Sequence, residues 1–134
     1  MKRLLDFTRT DGIDTVQGET KFFLIGELGD FLGLDPKTIR FYEKEGLLAP
    51  VRHGKFRVFK TSEVNRLRAI KKFRDFGLSI SSIREIFKNR QENLDTGKEN
   101  DFVVSILRKQ LDVMAKEKEA LARNIEDLAQ MLHE

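Results

Sequence analysis

The stretch TIRFYEKEGLLAP, residues 38–50, decides how this chain folds. The residues before it punctuate the start of a helix, because Asp35 can accept a hydrogen bond from first-turn amides and Pro36 fits the first helical position. Gly46 suits the left-handed residue that follows a helix end. The stretch therefore predicts a short, firmly bounded helix.

The predicted helix has two different faces, because side chains three and four residues apart lie on the same side. One face carries cations and an aromatic ring: Lys37, Arg40, Phe41 and Lys44. Ile39 and Tyr42 point toward the other side. We expect the helix to pack on its neighbour through Ile39 while it presents the cationic face outward.

A second short helix is predicted just before this one. An extended piece at Lys21–Phe23 leads into a helix over about Ile25–Leu32, whose apolar face carries Leu28, Phe31 and Leu32. Gly33 ends it, so Gly33–Asp35 forms a tight turn between two helices. This spacing is typical of a helix-turn-helix.

The segment VRHGKFRVFK, residues 51–60, predicts a small two-stranded β-hairpin with its turn at His53-Gly54. Four of its basic side chains fall on the projecting loop: Arg52, His53, Lys55 and Arg57. Lys60 follows at the end of the second strand. An isolated hairpin is only marginally stable, so it must lean on the helices, as the wing of a winged helix does.

Two more helices follow the hairpin. The third begins at Thr61-Ser62-Glu63, ends near Gly77 and has apolar residues at helical spacing: Val64, Leu67, Ile70 and Phe73. The fourth begins at Ser79 or Ser81, with an apolar side formed by Ile83, Ile86 and Phe87. The polar run Asn89–Gly97 predicts a linker.

A long C-terminal helix is predicted from about Lys98 to His133, roughly 54 Å at 1.5 Å per residue. Thr96 and Glu99 have the spacing of a capping box. Seam positions recur in steps of three and four: Val104, Leu107, Leu111, Met114, Lys118, Leu121, Ile125, Leu128 and Leu132. So long an apolar stripe predicts self-association.

Lys118 is the polar member of that seam and lies midway between Val104 and Leu132. If the two-fold axis of an antiparallel pair passed through it, two ammonium groups would approach each other. We therefore predict an axis displaced from residue 118, or a lysine that extends outward. Some of Val104–Leu111 would then pack on the partner's winged helix-turn-helix domain, called the head below.

The charge is strongly uneven along the chain. Residues 1–90 hold 19 Lys plus Arg against 12 Asp plus Glu, and residues 91–134 hold 6 against 10. Between Lys37 and Arg74 the count is 12 against 3. Such a block is typical of a segment that binds a polyanion, whereas the alternative is a merely solvated basic surface.

Composition excludes several kinds of site. The chain has no Cys and only two His, so thiolate metal sites and a cysteine nucleophile are excluded and His-dependent catalysis is disfavoured. The sequence offers no acid, base and nucleophile together, so we predict no enzyme and no cofactor. The N-terminal apolar run is too short for a signal peptide and no segment is long enough for a membrane span, which predicts a cytoplasmic protein. Residues 1–20 show no sustained period and are interpreted as a loose N-terminal extension.

Two runs, FFLIGELGDFLGLDPKTIRFYEKEGLLAP and GKFRVFKTSEVNRLRAIKKFRDFGLSISSIREIF, resemble the MerR family of bacterial transcription regulators. The resemblance covers about Lys21–Lys88, and TIRFYEKEGLL carries most of its specificity. It implies a homodimer, joined by an antiparallel pair of long helices, on a pseudo-palindromic promoter operator. It also implies distortion of the promoter DNA and RNA polymerase as a further partner.

Carried over by position, Arg40 resembles the arginine of the recognition helix, with Lys37, Thr38 and Phe41 near it. Tyr42 resembles a tyrosine of the motif, and Arg57 resembles the arginine that follows an aromatic residue in the wing. For Tyr42 and Phe56, packing in the core is an equal alternative to DNA contact.

The chain departs from the family at two points. Leu24 stands where a capping Thr or Ser is common, so the first helix begins less firmly. The thiol ligands of metal-sensing members are missing, and we expect a short member without an effector-binding domain.

These observations predict a mainly α fold, with a winged helix-turn-helix domain at residues 21–90, a linker at 91–97 and an antiparallel coiled-coil dimerisation helix at 98–134. The predicted function is a sequence-specific, homodimeric transcription regulator that binds double-stranded DNA. An architectural, chromosome-organising protein with the same head is the alternative. The residues predicted to contact DNA are Lys37, Thr38, Arg40, Phe41, Tyr42, Lys44, Arg52, His53, Lys55, Arg57 and Lys60.

Overall fold

The computed structural model describes residues 22–92 and 99–133. These residues form a mainly helical protein with one small sheet, which confirms the predicted fold class. The elements follow in the order β1 (Phe22–Leu24), α1 (Ile25–Leu32), α2 (Pro36–Lys44), β2 (Val51–His53), β3 (Phe56–Lys60), α3 (Thr61–Asp75), α4 (Ile80–Glu92) and α5 (Glu99–His133). The chain divides into two compact units between Asp75 and Phe76.

Helix α2 is bounded as its sequence predicts. The Asp35 carboxylate accepts a hydrogen bond from the Lys37 amide at 2.8 Å, and Pro36 occupies the first turn. At the other end Gly46 has φ +78°, and the Leu47 amide donates to the Tyr42 carbonyl at 2.9 Å. This bond is half of a Schellman motif, which needs a left-handed residue and therefore favours glycine.

Helix α1 begins without a side-chain cap from its N-cap residue. A capping box has two hydrogen bonds, one to the side chain of the N-cap residue and one from its backbone amide. Leu24 has no polar side-chain atom, so only the second forms, in which the Leu24 amide donates to the Glu27 carboxylate at 3.1 Å. Leu28 is buried as predicted, but Phe31 is 50 % exposed. The guanidinium carbon of Arg68 lies 5.8 Å from the centre of the Phe31 ring, so this ring meets a cation instead of the core.

The wing belongs to a three-stranded antiparallel sheet of order β1-β3-β2, where the sequence predicts only two strands. Val51 pairs with Val58 and His53 with Phe56, so the turn lies at Gly54-Lys55, one residue later than predicted. The short extended piece predicted at 21–23 overlaps strand β1, which covers Phe22–Leu24 and pairs Phe23 with Phe59. The third strand gives the hairpin the support that an isolated hairpin lacks.

Helix α3 supplies the main apolar surface of the first unit. Its four predicted core residues are all buried: Val64, Leu67, Ile70 and Phe73. Phe59 of β3 is fully buried, and α3 contacts β3. Leu47 and Leu48, directly after α2, are also buried. The core therefore anchors both the recognition helix and the wing.

The second unit contains α4 and α5, which contact each other. The Ser79 hydroxyl accepts a hydrogen bond from the Ser82 amide at 3.0 Å, so Ser79 and not Ser81 is the capping residue just before α4 begins at Ile80. Ile83, Ile86 and Phe87 are buried as predicted. Val103 of α5 is buried, and the Gln110 amide donates to the Phe76 carbonyl at 2.6 Å.

The predicted linker is partly helical. Helix α4 continues to Glu92, so residues 91 and 92 belong to it, while residues 93–97 lie outside the described residues. The compact units also divide at 75/76 and not at the linker, because α4 packs with α5. Polar composition at residues 89–92 predicts an exposed surface, which a helix can provide as well as a loop. The N-terminal extension at residues 1–20 and the capping-box residue Thr96 lie outside the described residues.

Helix α5 carries a long exposed apolar stripe. Val104 and Leu107 are half-buried, whereas the later apolar seam residues are exposed: Leu111, Met114, Leu121, Ile125, Leu128 and Leu132. Lys118 is exposed among them. At 1.5 Å per residue the 35 residues of α5 extend for roughly 52 Å.

Candidate nucleic-acid interface

The outward face of α2 is cationic, as predicted. Lys37, Arg40 and Lys44 are exposed, and Phe41 is 45 % exposed beside them. Ile39 on the opposite side is fully buried. The buried side fixes the rotation of the helix about its axis, so the cations must face solvent.

A cleft of about 630 Å³ lies between the start of α1, helix α2 and the wing. It brings together four cations from separate parts of the sequence: Arg40, Arg52, Lys55 and Arg57. Its remaining lining residues are Leu24, Ile25, Gly26, Glu27 and Phe56. The cleft therefore links the recognition helix and the wing in one surface.

The electrostatics of the cleft favour an anion. Four cationic side chains line the cleft with one carboxylate, that of Glu27, which also accepts a hydrogen bond from the Leu24 amide. A second carboxylate, that of Glu43, does not line the cleft but pairs with Arg57. The first turn of α1 lies at the same place, and the amides of a helix N-terminus carry partial positive charge. Arginines can form paired hydrogen bonds with phosphate or with a guanine edge.

Arg57 has a partner within the protein. Its Nε lies 3.4 Å from a carboxylate oxygen of Glu43 on α2, and both side chains are partly exposed. This pair connects β3 of the wing to the recognition helix. The contact of Glu43 with Arg57 could not be predicted from the sequence, because the approach of β3 to α2 depends on the tertiary fold.

Tyr42 and Phe56, for which core packing and DNA contact were equal alternatives, differ in how exposed they are. Tyr42 is only 6 % exposed, so its ring belongs to the core. Phe56 is 65 % exposed and lines the cleft. Burial therefore favours packing for Tyr42, and exposure favours contact for Phe56.

The remaining predicted DNA-contacting residues lie around the cleft without lining it. Lys37, Lys44, His53 and Lys60 are exposed, and Thr38 is half-buried. The residues that the sequence analysis missed are Ile25, Gly26 and Glu27 at the start of α1. The only sequence signal for them was the position of a helix N-terminus.

Within residues 22–92 and 99–133, no helix is long and apolar enough to span a membrane. No group of three or more His, Cys, Asp or Glu side chains within these same ranges could hold a metal ion.

The fold and the cleft define a winged helix-turn-helix protein of the DNA-binding class. Residues 23–90 match the MerR HTH family of regulatory proteins. The chain belongs to this family, as its sequence predicted, and it is a DNA-binding transcription regulator.

Individual family members are similar over most of the chain. The HTH-type transcriptional regulator ZntR of Escherichia coli K12 is 31 % identical over 109 residues, which cover 79 % of this chain and 77 % of ZntR. The structure of PbrR691 from Ralstonia metallidurans CH34, in complex with lead(II), is 30 % identical with a TM-score of 0.58, covering 81 % of this chain and 86 % of that one.

The structure of HiNmlR, a MerR family regulator lacking the sensor domain and bound to promoter DNA, has a TM-score of 0.62. It is 19 % identical and covers 79 % of this chain and 80 % of that one, so this similarity concerns the fold.

Proposed function

We propose that this chain acts as a homodimer that binds a pseudo-palindromic promoter operator and distorts it. The observation that carries the proposal is the cleft, which combines Arg40 of the recognition helix with Arg52, Lys55 and Arg57 of the wing. A recognition helix reads base edges in the major groove, and a wing reaches neighbouring phosphates. HiNmlR, whose fold is similar, is bound to promoter DNA.

The apolar stripe on α5 supports the dimer. Leu121, Ile125 and Leu128 are each at least 58 % exposed, so the described residues of the chain leave this part of α5 largely uncovered. Soluble proteins rarely leave large contiguous apolar patches in water, so a second copy of α5 is the natural occupant of a seam with heptad spacing. Two heads joined in this way bind two half-sites.

Distortion of the operator is within the energy that two heads provide. Bending a duplex by 40–90° costs on the order of 1–6 kcal/mol. Each head offers several cations for phosphate contacts, and each contact releases counterions from the DNA. We place the protein in the cytoplasm, assign it no catalytic activity, and infer RNA polymerase as a partner at the promoter.

Selection of bound DNA from a random pool tests the proposal. We expect one enriched site made of two inverted half-sites, bound about 1,000-fold or more tightly than random duplex at the same salt. A ratio near one would contradict operator recognition and favour the architectural role. A single half-site would contradict the dimer.

A further inference from the structure

Two side chains of α3 hold the segment that joins the recognition helix to the wing. The Glu63 carboxylate accepts a hydrogen bond from the Ala49 amide at 3.0 Å. One turn further along α3, Arg66 Nε donates to the Leu47 carbonyl at 2.7 Å. Both bonds join parts of the chain that are 14 or more residues apart.

The bridged segment is short. Helix α2 ends at Lys44 and β2 begins at Val51, so six residues connect them. Leu47 and Leu48 are buried, which fixes the first part of the connection, but Ala49 is exposed. The Glu63 bond therefore holds the point where the chain leaves the core and turns toward the wing.

The environment of Arg66 is consistent with a structural role for its charge. Burial of the guanidinium lowers its pKa, and the nearby Glu63 carboxylate partly offsets this effect. A part-buried arginine costs desolvation energy unless it is hydrogen-bonded and near an opposite charge. The Leu47 carbonyl and Glu63 meet both needs, so removal of either α3 side chain leaves the other less well compensated.

We propose that Glu63 and Arg66 are positioning residues for DNA binding, which set the wing at the distance and angle from the recognition helix that one duplex requires. Neither side chain lines the cleft, so they act through the 47–49 segment and not by contact with DNA. The inference rests on the proposed function. A second link, from Glu43 to Arg57, joins the wing to α2 directly and leaves the wing partly held when the α3 bonds are lost.

The test compares the salt dependence of DNA binding in the wild type and in the double variant Glu63→Ala/Arg66→Ala. With a misplaced wing, the phosphate contacts of Arg52 and Lys55 weaken in both protomers, so we expect the slope of log K against log salt to fall in magnitude by about four per dimer. We expect affinity for the selected operator to fall about tenfold or more at 0.1 M salt. Circular dichroism on the same samples confirms that the compared proteins are folded.

Two control proteins separate positioning from other effects. Asp75→Ala removes an exposed carboxylate from the same helix, and we expect it to keep the wild-type slope. Glu63→Gln keeps an acceptor for the Ala49 amide, so it should restore most of the slope that Glu63→Ala loses. The double variant removes one charge of each sign, so its net charge is unchanged. In the single variant Glu63→Ala, loss of a negative charge alone would strengthen attraction to DNA, so a decrease in affinity has the opposite sign to the simple charge effect.

A thermodynamic cycle with the wing decides the mechanism. The wing variant Arg52→Ala/Lys55→Ala should lower the magnitude of the slope by about four per dimer, and combining it with Glu63→Ala/Arg66→Ala should add little. Fully additive losses, or a wild-type slope in the folded α3 variant, would overturn the inference. Wild-type protein that prefers no duplex over heparin would instead overturn the proposed function.

Discussion

Arg40 is the residue of α2 that lines the cleft. It lies on the exposed face of α2 and meets the wing cations Arg52 and Lys55 across the cleft. An arginine at this place can bind a guanine edge through two parallel hydrogen bonds, which lysine cannot reproduce. The buried residue Ile39 beside it fixes the direction in which this face points.

Replacement of Arg40 with Ala should weaken operator binding by about 1–3 kcal/mol and relax the preference at one base pair. Binding to the selected operator and to each single-base variant measures this. Arg123→Ala, on the exposed surface of α5, should leave binding to all of them unchanged. A uniform loss across sequences, with the slope lower in magnitude by about one per protomer or two per dimer, would assign Arg40 to a phosphate. Unchanged affinity would mean that the recognition face lies elsewhere.

Asp35 determines how firmly the recognition helix begins. Its carboxylate accepts the Lys37 amide, so Asp35→Ala should lower the free energy of unfolding by about 1 kcal/mol. Asp35→Asn should lose much less, because the amide oxygen can also accept that bond. Urea denaturation measures both. Equal stability of the Ala variant and the wild type would show that the cap contributes nothing.

At the residue scale, local signals predicted what depends on neighbours in sequence. The cap at Asp35, the left-handed Gly46 and the two faces of α2 all follow from spacing over fewer than twelve residues. Tyr42 and Phe56 remained undecided, because whether an amphipathic ring is buried depends on elements elsewhere in the chain. The contacts of Glu43 with Arg57 and of Glu63 with Ala49 could not be predicted for the same reason, since the two residues of each pair are 14 positions apart.

At the scale of elements, the sequence predicted the helices but only two of the three strands in the sheet. Apolar spacing and capping residues predict helices, as in α3, whose four predicted core residues are all buried. Strand β1 has only three residues and no alternation long enough to be recognised. Its partner β3 lies more than 30 residues later, so the third strand is a consequence of tertiary pairing.

The position of the dimer axis along α5 depends on how the apolar seams of the two copies align. Lys118 lies exposed within it, and we predict that the dimer axis is displaced from this residue. The chain has no native cysteine, so Lys118→Cys introduces a single thiol. A disulfide across a two-fold axis requires Cα atoms about 4.4–6.8 Å apart.

We therefore expect Lys118→Cys not to form a cross-linked dimer under mild oxidation. Single cysteines placed in turn at Met114, Leu121 and Ile125 locate the axis by the position that cross-links best, and non-reducing electrophoresis measures it. Rapid and complete cross-linking at residue 118 would contradict the displaced axis.

At the scale of the whole molecule, the two compact units carry different features. The first unit contains the cleft, and the second contains the long helix with its exposed stripe. Heptad spacing predicted the stripe and charge counting predicted the cationic head. The division at 75/76 could not be predicted, because a polar run at residues 89–97 gives no sign that α4 packs with α5.

Charges placed in the stripe should separate dimerisation from folding. In Leu121→Glu/Ile125→Glu two exposed apolar side chains become anionic, so the unfolding of the head should change little while the dimer dissociates. We expect a monomer by sedimentation and at least a tenfold loss of operator affinity, because the second head no longer binds as part of the same complex. Arg123→Glu is the matched charge control on the same helix. A variant that stays dimeric would place the interface elsewhere.

We propose that two cationic winged helix-turn-helix domains, joined through α5, bind one duplex at the same time. Sedimentation of the wild-type protein with a short duplex containing its selected site tests this most directly, because the mass gives the number of chains per DNA. We predict two chains per duplex at saturation, with the free protein already a dimer at micromolar concentration. One chain per duplex, from a protein that is monomeric when free, would contradict the account.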